Sequence, residues 1–154
     1  VDVPGFLIGV AGEERGAPGH IINWMNALSL CTVPKISIIM RKSYGQAYLN
    51  MGGGRNSDEV ACWPSADLGF MDPRTAVHVL YDVDEQKEPE RYRQLFDEVQ
   101  RGNSAWDLAA LYETQAVIDP RETREYLIRM LKVHRLRLTR GIGEHFLGNW
   151  PTSH

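Results

Sequence analysis

The stretch from Val33 to Gly54 holds the residues whose types and order could do chemistry, and that chemistry belongs to the backbone. After the apolar run Ile36-Ser37-Ile38-Ile39-Met40 come a basic pair, Arg41-Lys42, and small residues at Ser43, Gly45 and Ala47. Two tyrosines, Tyr44 and Tyr48, and three consecutive glycines, Gly52 to Gly54, complete it. A strand that ends in small residues and feeds a helix start leaves backbone N–H groups unpaired. Such groups can hold an oxyanion. The same pattern also describes a βα turn and a glycine-rich loop with no chemical role, and pattern alone leaves both readings open. No Ser/His/Asp arrangement, metal-ligand cluster or carboxylate pair stands out elsewhere, so no metal is expected.

The elements that must position this stretch follow from periodicity and breakers. The run from Ile36 to Met40 is apolar on both pleat faces, as in a strand buried on both sides, although so short a run also suits buried helix. Before it, Val1 to Phe6 reads as the tail of a strand entering a turn at Pro4-Gly5. Gly9 to Gly19 is glycine-rich and charged, a loop with room for one helical turn. From Gly19 to Thr32 a helix is expected, with Ile21, Met25 and Leu28 on one face and Pro34 as its stop. His20 opens that helix, as a cap or packed ring or as a catalyst.

After the glycines, Glu59 to Trp63 and Ala66 to Met71 read as two short strands hinged at Pro64-Ser65. Asp72-Pro73 caps and starts a helix through Ala76, Val77 and Leu80. A charged loop leads to an amphipathic helix carrying Tyr92, Leu95, Phe96 and Val99, its charges a solvated face. Asn103-Ser104 caps a helix from Ala105 to Tyr112, and Ala116 to Asp119 reads as a last strand. Pro120 then starts a long helix with Leu127, Leu131, His134 and Leu138 on one face. Arg124, Arg129, Lys132, Arg135 and Arg140 lie opposite, either solvated or docked on an acidic partner. The tail from Gly141 to His154 is expected to be irregular. No internal repeat is visible in the sequence, and strands alternating with helices make the chain α/β.

At 154 residues the chain can bury a real core as one domain or part of one. Its 17 basic and 20 acidic residues lend no support to a nucleic-acid or membrane-surface role. Two cysteines, Cys31 and Cys62, form no CxxC pair and fit a reducing compartment. With no signal peptide or span-length apolar segment, a soluble protein is expected. Val1 in place of an initiating Met, and a strand end as the first feature, lead to the expectation that this is part of a longer subunit.

Five segments, in order, resemble the carboxyltransferase (β) subunits of biotin-dependent acyl-CoA carboxylases. They are Asp2-x-Pro4-Gly5-Phe6, Thr32-Val33-Pro34-Lys35-Ile36, Arg41-Lys42-Ser43-Tyr44-Gly45-Gln46-Ala47-Tyr48, Trp63-Pro64-Ser65-Ala66, and Ile118-Asp119-Pro120-Arg121-Glu122-Thr123-Arg124. The likeness runs from about residue 1 to about residue 133 and is to the second, C-terminal half of such a subunit. It implies a crotonase-like spiral of ββα units, with residues 1–140 as the C-terminal carboxyltransferase domain, 141–154 as a tail, and the N-terminal CoA-binding domain outside this chain. In this family the active site forms between the first domain of one subunit and the second domain of its partner, and a carboxyl group passes from carboxybiotin to the α-carbon of an acyl-CoA.

The resemblance further implies that the biotin ureido oxygen sits against the N–H groups of Gln46 and Ala47, with Tyr44, Gly45, Tyr48 and Leu49 around the biotin and substrate. Biotin would arrive on a separate carrier domain. The expected partners are the biotin carboxyl carrier protein or biotin carboxylase subunit, the subunit's own first half, and further copies in a homo-oligomer. A cytoplasmic location, or the mitochondrial matrix in a eukaryote, goes with this. Nucleic acid and membrane are not expected partners.

The sequence departs from the family in places. Gln46 stands where glycine is usual; in a left-handed backbone it would cost roughly 1–2 kcal/mol, in a helical one nothing. The family's Arg-His-Gly-Ala-Lys run appears as Gly19-His20-Ile21-Ile22-Asn23, keeping only the histidine. Leu49 stands where acyl-chain size is set. The run Met51-Gly52-Gly53-Gly54-Arg55 is richer in glycine than usual, for no reason visible in the sequence. Two alternatives stay open: a biotin-dependent acyl-CoA decarboxylase subunit, and a non-catalytic assembly module in which Gln46 breaks the motif.

Overall fold

A strand, a break, a second strand and a helix recur along the chain, which in a computed structural model is described at residues 1–6 and 9–135. β1 (Ile36–Ile39) gives way at Met40-Arg41 to β2 (Lys42–Tyr44), and α3 (Gly45–Asn50) follows. β3 (Glu59–Cys62) gives way at Pro64-Ser65 to β4 (Asp67–Gly69), and α4 (Pro73–Tyr81) follows. After α5 (Pro89–Arg101) and α6 (Ala105–Ala110) comes β5 (Ala116–Val117), then α7 (Thr123–Arg135). The first strands of each unit pair in parallel in the order β1-β3-β5, and the second strands β2 and β4 pair in parallel in another sheet. The repeat is therefore one of structure, carried by different side chains in each unit. This is the crotonase-like ββα spiral.

The central strand β3 is the one buried on both sides. Val60 and Cys62 pack with Ile39, Leu68 and Ala105, while Ala61 packs with Ile118 and Tyr126 on the opposite face. β1 lies beside it, with Ile36 and Ile38 only half-buried and Met40 outside the strand. The N-terminal segment forms a single parallel bridge, Val3 to Ser43, which sets it against β2.

Caps fall where short side chains precede the helices. Asp72 accepts from the Arg74 N–H at 3.0 Å, Ser104 from Asp107 at 3.2 Å and Asp119 from Arg121 at 2.8 Å. Between residues 9 and 19 the chain is more helical than a loop, with α1 (Val10–Glu14) followed by α2 (Ala17–Leu30). Pro18 sits in the first turn of α2, where its missing N–H costs nothing. In α2 the expected face of Ile21, Met25 and Leu28 is half-buried, but no residue of the helix is buried.

α7 keeps part of its expected face, with His134 buried and Leu127 half-buried, and departs from it at Leu131. Tyr126 and His134 are buried with Met130 between them, whereas Leu131 is half exposed. The reason lies in β3: the Glu59 carboxylate accepts a hydrogen bond from the Tyr126 hydroxyl and stands 3.6 Å from His134 Nε2. That polar anchor brings Tyr126 into the buried face, while Leu131 is left half exposed. Leu138, Arg140 and the tail from Gly141 lie outside the described residues. No helix among the described residues is long and apolar enough to cross a membrane.

Candidate functional site

The turn between β2 and α3 rests on one glycine. Tyr44 is extended (φ −120°), Gly45 is left-handed (φ +56°), and the helix begins at once. A Cβ on Gly45 would lie 2.8 Å from the Phe70 carbonyl oxygen, so both the backbone angle and the space demand glycine there. Gln46 has no positive φ; among described non-glycine residues only Asp82 and Tyr112 do. Glutamine in place of the usual glycine is therefore unstrained.

Gln46 and Ala47 occupy the first turn of α3, where N–H groups have no partner within the helix. No bond from outside the helix reaches either N–H among the described residues. Ala47 borders a cavity of about 300 Å³. Its walls are Val3, Gly5 and Phe6 from the N-terminal segment, Trp24 from α2, and Asn50 and Met51 at the end of α3. Gln46 is not among the walls; an apolar recess bordered by a residue with a free backbone donor has the composition to take a polarised oxygen with an apolar ring body.

The other expected site residues surround the turn without lining this cavity. Tyr44 is buried at 3% exposure, and its desolvation together with the Asp67 carboxylate pushes its hydroxyl well above the usual range. Tyr48 is half-buried with its ring over Gly53, and burial raises its hydroxyl as well. Leu49 leans on Gly54, and its carbonyl accepts from Asn56 Nδ2 at 3.0 Å. His20 is exposed on α2 and is not among the cavity's residues.

The glycine run now has a reason. A Cβ on Gly53 would lie 2.1 Å from the Tyr48 ring, and one on Gly52 would strike the hydroxyls of Ser37 and Ser57, which share a hydrogen bond of 2.9 Å. Only glycines let the chain turn back so tightly from α3 toward β3.

Of the seven residues at the cavity only Ala47 is a site residue expected from the sequence, and among the others Trp24 and Asn50 are joined to each other. Trp24 donates its indole N–H to the Asn50 carbonyl, and Asn50 accepts from Gln46 Nε2 at 3.1 Å. Trp24 lies three residues after Ile21, on the edge of the apolar stripe of α2. An aromatic on a helix that precedes the motif was the available signal.

The carboxyl transferase domain family matches residues 1–140. The chain is 36% identical, over 98% of its length and 30% of the relative's, to the 12S subunit of methylmalonyl-CoA carboxyltransferase from Propionibacterium freudenreichii subsp. shermanii. It is 34% identical to the α subunit of methylmalonyl-CoA decarboxylase from Veillonella parvula, over 85% of this chain and 25% of that one. Among solved structures it is similar to a transcarboxylase 12S crystal structure, described as a hexamer assembly with hydrolysed methylmalonyl-coenzyme A bound. There the TM-score is 0.82 at 34% identity, covering 95% of this chain and 29% of that one. The chain thus spans less than a third of the length of these relatives. With the ββα spiral and the open N–H pair at the start of α3 in place, these likenesses show that the chain belongs to the carboxyl transferase domain family.

Proposed function

We propose that this chain is the biotin-side part of a carboxyltransferase that moves a carboxyl group between carboxybiotin and the α-carbon of an acyl-CoA. The observation that carries this reading is the unstrained turn at Gly45, which leaves the N–H groups of Gln46 and Ala47 without a helix partner, with Ala47 at the border of an apolar cavity. Biotin fits such a donor set: its ureido group offers a polar oxygen, and the rest of its fused rings is apolar. When bound, biotin supplies the transferable carboxyl. Gln46 and Ala47 hold the ureido oxygen through their N–H groups, and the positive end of α3 adds to the stabilisation. Gly45 sets the angle of the turn. Tyr44, Tyr48 and Leu49 act by packing the turn and the glycine run, so that the donors stay aimed without reorganisation.

The acyl-CoA site lies in the subunit's other half, the biotin comes on a carrier domain or protein, and assembly is a homo-oligomer in which two subunits complete each active site. A cytoplasmic location, or the mitochondrial matrix in a eukaryote, goes with this reading. A second reading is favoured by the decarboxylase relatives: the same donors serve removal of a carboxyl from an acyl-CoA onto biotin. A non-catalytic role loses its motive, since Gln46 is unstrained.

The test is transfer of labelled carboxyl from carboxybiotin to a panel of acyl-CoAs by the full-length subunit. Label appearing on one acyl-CoA supports the carboxylase direction. Biotin-dependent loss of carboxyl from a malonyl-type CoA, passing to biotin and released from it as carbon dioxide with no second acyl-CoA as acceptor, supports the decarboxylase. Neither activity, in a folded and assembled enzyme, overturns both.

A further inference from the structure

One wall of the cavity beside Ala47 is not held by burial. Trp24 is 54% exposed, and α2, which carries it, buries none of its 14 residues. Polar contacts tie the helix to its neighbours. The Trp24 indole N–H donates to the Asn50 carbonyl, the Gln46 carboxamide reaches Met25 Sδ at 3.0 Å, and Lys35 Nζ donates to the Leu28 carbonyl at 2.7 Å. An indole N–H is only a donor, so seating it on a carbonyl leaves the apolar body of the ring to line the cavity. Both anchors on the α3 side, Gln46 and Asn50, belong to the helix whose first turn offers the oxyanion donors. One short helix thus sets the donors and the aromatic wall together.

We propose that Trp24 is a ligand-contacting residue: its indole is the surface on which the fused rings of biotin pack while the ureido oxygen meets the N–H groups of Gln46 and Ala47. This rests on the carboxyltransferase reading and adds a recognition residue to it. An aromatic wall gives contact area with little conformational freedom to lose. A cavity of about 300 Å³ lies at the small end of ligand pockets, suited to a bicyclic head group whose chain leads outward to a carrier.

The test uses the full-length subunit with free biotin as the probe and two readouts. The first is tryptophan emission during titration with biotin: it shifts in the wild type and the shift disappears in Trp24→Phe. The second is carboxyl transfer with free biotin. Trp24→Ala raises KM for biotin about tenfold, with a much smaller change in kcat, and Trp24→Phe, which keeps an aromatic body, recovers most of it. Circular dichroism establishes folding, and Trp24→Phe carries the emission test where Trp24→Ala loosens α2. An emission change that persists in Trp24→Phe, or a wild-type KM in Trp24→Ala, overturns the assignment. A wild type that neither responds to biotin nor exchanges a carboxyl with it overturns the carboxyltransferase reading, and this inference with it.

Discussion

The helices α3 and α2 flank one cavity and are held in opposite ways. The shorter, α3, is built into the fold. Gly45 locks its entry against the Phe70 carbonyl, Ala47 is buried, and the glycine run turns its exit onto Tyr48 and the serine pair. The longer, α2, lies on the surface with Ile22, Trp24 and Leu30 all more than half exposed. Its hydrogen bonds to Asn50, Gln46 and Lys35 do what apolar packing does for α3. The difference suits the two tasks proposed for these helices. Donors for a developing negative charge must stand ready before reaction, because reorganising them would add to the barrier. A wall that receives a ring from a moving carrier can sit on a less anchored element, since local stability follows buried contacts.

The largest effect is expected where the anchored side carries the chemistry. Ala47→Pro deletes the proposed donor and should lower carboxyl transfer by the full-length enzyme about a hundredfold or more. Proline also disfavours the helical conformation at Gln46, so a thermal melt must show the variant folded. A folded Ala47→Pro enzyme with near-wild-type transfer would show that this N–H is not the donor.

A high pH should release the anchored side next. Burial, aided for Tyr44 by the Asp67 carboxylate and for Tyr126 by Glu59, raises the hydroxyl pKa of Tyr44, Tyr48 and Tyr126. In the unfolded chain these groups lose their protons near about pH 10, while the folded chain still retains them. The unfolded state then binds fewer protons, so stability is complete below about pH 10 and falls as pH rises further. Urea midpoints measured across that range should be flat and then drop. A midpoint indifferent to alkaline pH would mean that burial of these hydroxyls, two beside α3 and one on α7, does not hold the fold.

One substitution made on both sides should change sign. On Gly53 a Cβ meets the Tyr48 ring, so Gly53→Ala overpacks and should cost about 1–3 kcal/mol. On Gly19, in α2, the added methyl meets nothing within 4 Å, and Gly19→Ala should stabilise by about 0.5–1 kcal/mol through helix propensity. Melting temperatures of the two variants decide it, and shifts of the same sign would break the contrast between the helices.

These contrasts also mark where the sequence was legible. The strand run at Ile36, the Asp72-Pro73 start and the Ser104 cap are local signals, and each stands in the structure. The five family segments, ordered along the chain, carried the fold. What was illegible depends on partners distant in sequence. The buried face of α7 includes the expected His134 but takes in Tyr126 and leaves Leu131 half exposed because Glu59 meets the tyrosine hydroxyl, and periodicity alone cannot report that. The glycine run makes sense only once the Tyr48 ring and the Ser37–Ser57 pair are beside it. Trp24 joins the site because the N-terminal segment closes the cavity from across the fold.

The smallest expected effect probes the link between the two helices. The Gln46 side chain bridges Asn50 and Met25, so Gln46→Gly removes one tie to α2 while leaving the backbone N–H in place. In a helix the glycine should cost roughly 0.5–1 kcal/mol. The informative quantity is where that loss falls. Hydrogen exchange should show reduced protection along α2, whose other ties are Trp24 and Lys35, and little change in the amides at the C-terminal end of α3, which the glycine run still holds. Loss of protection confined to α3, with α2 unmoved, would mean that α2 is held by contacts other than this bridge.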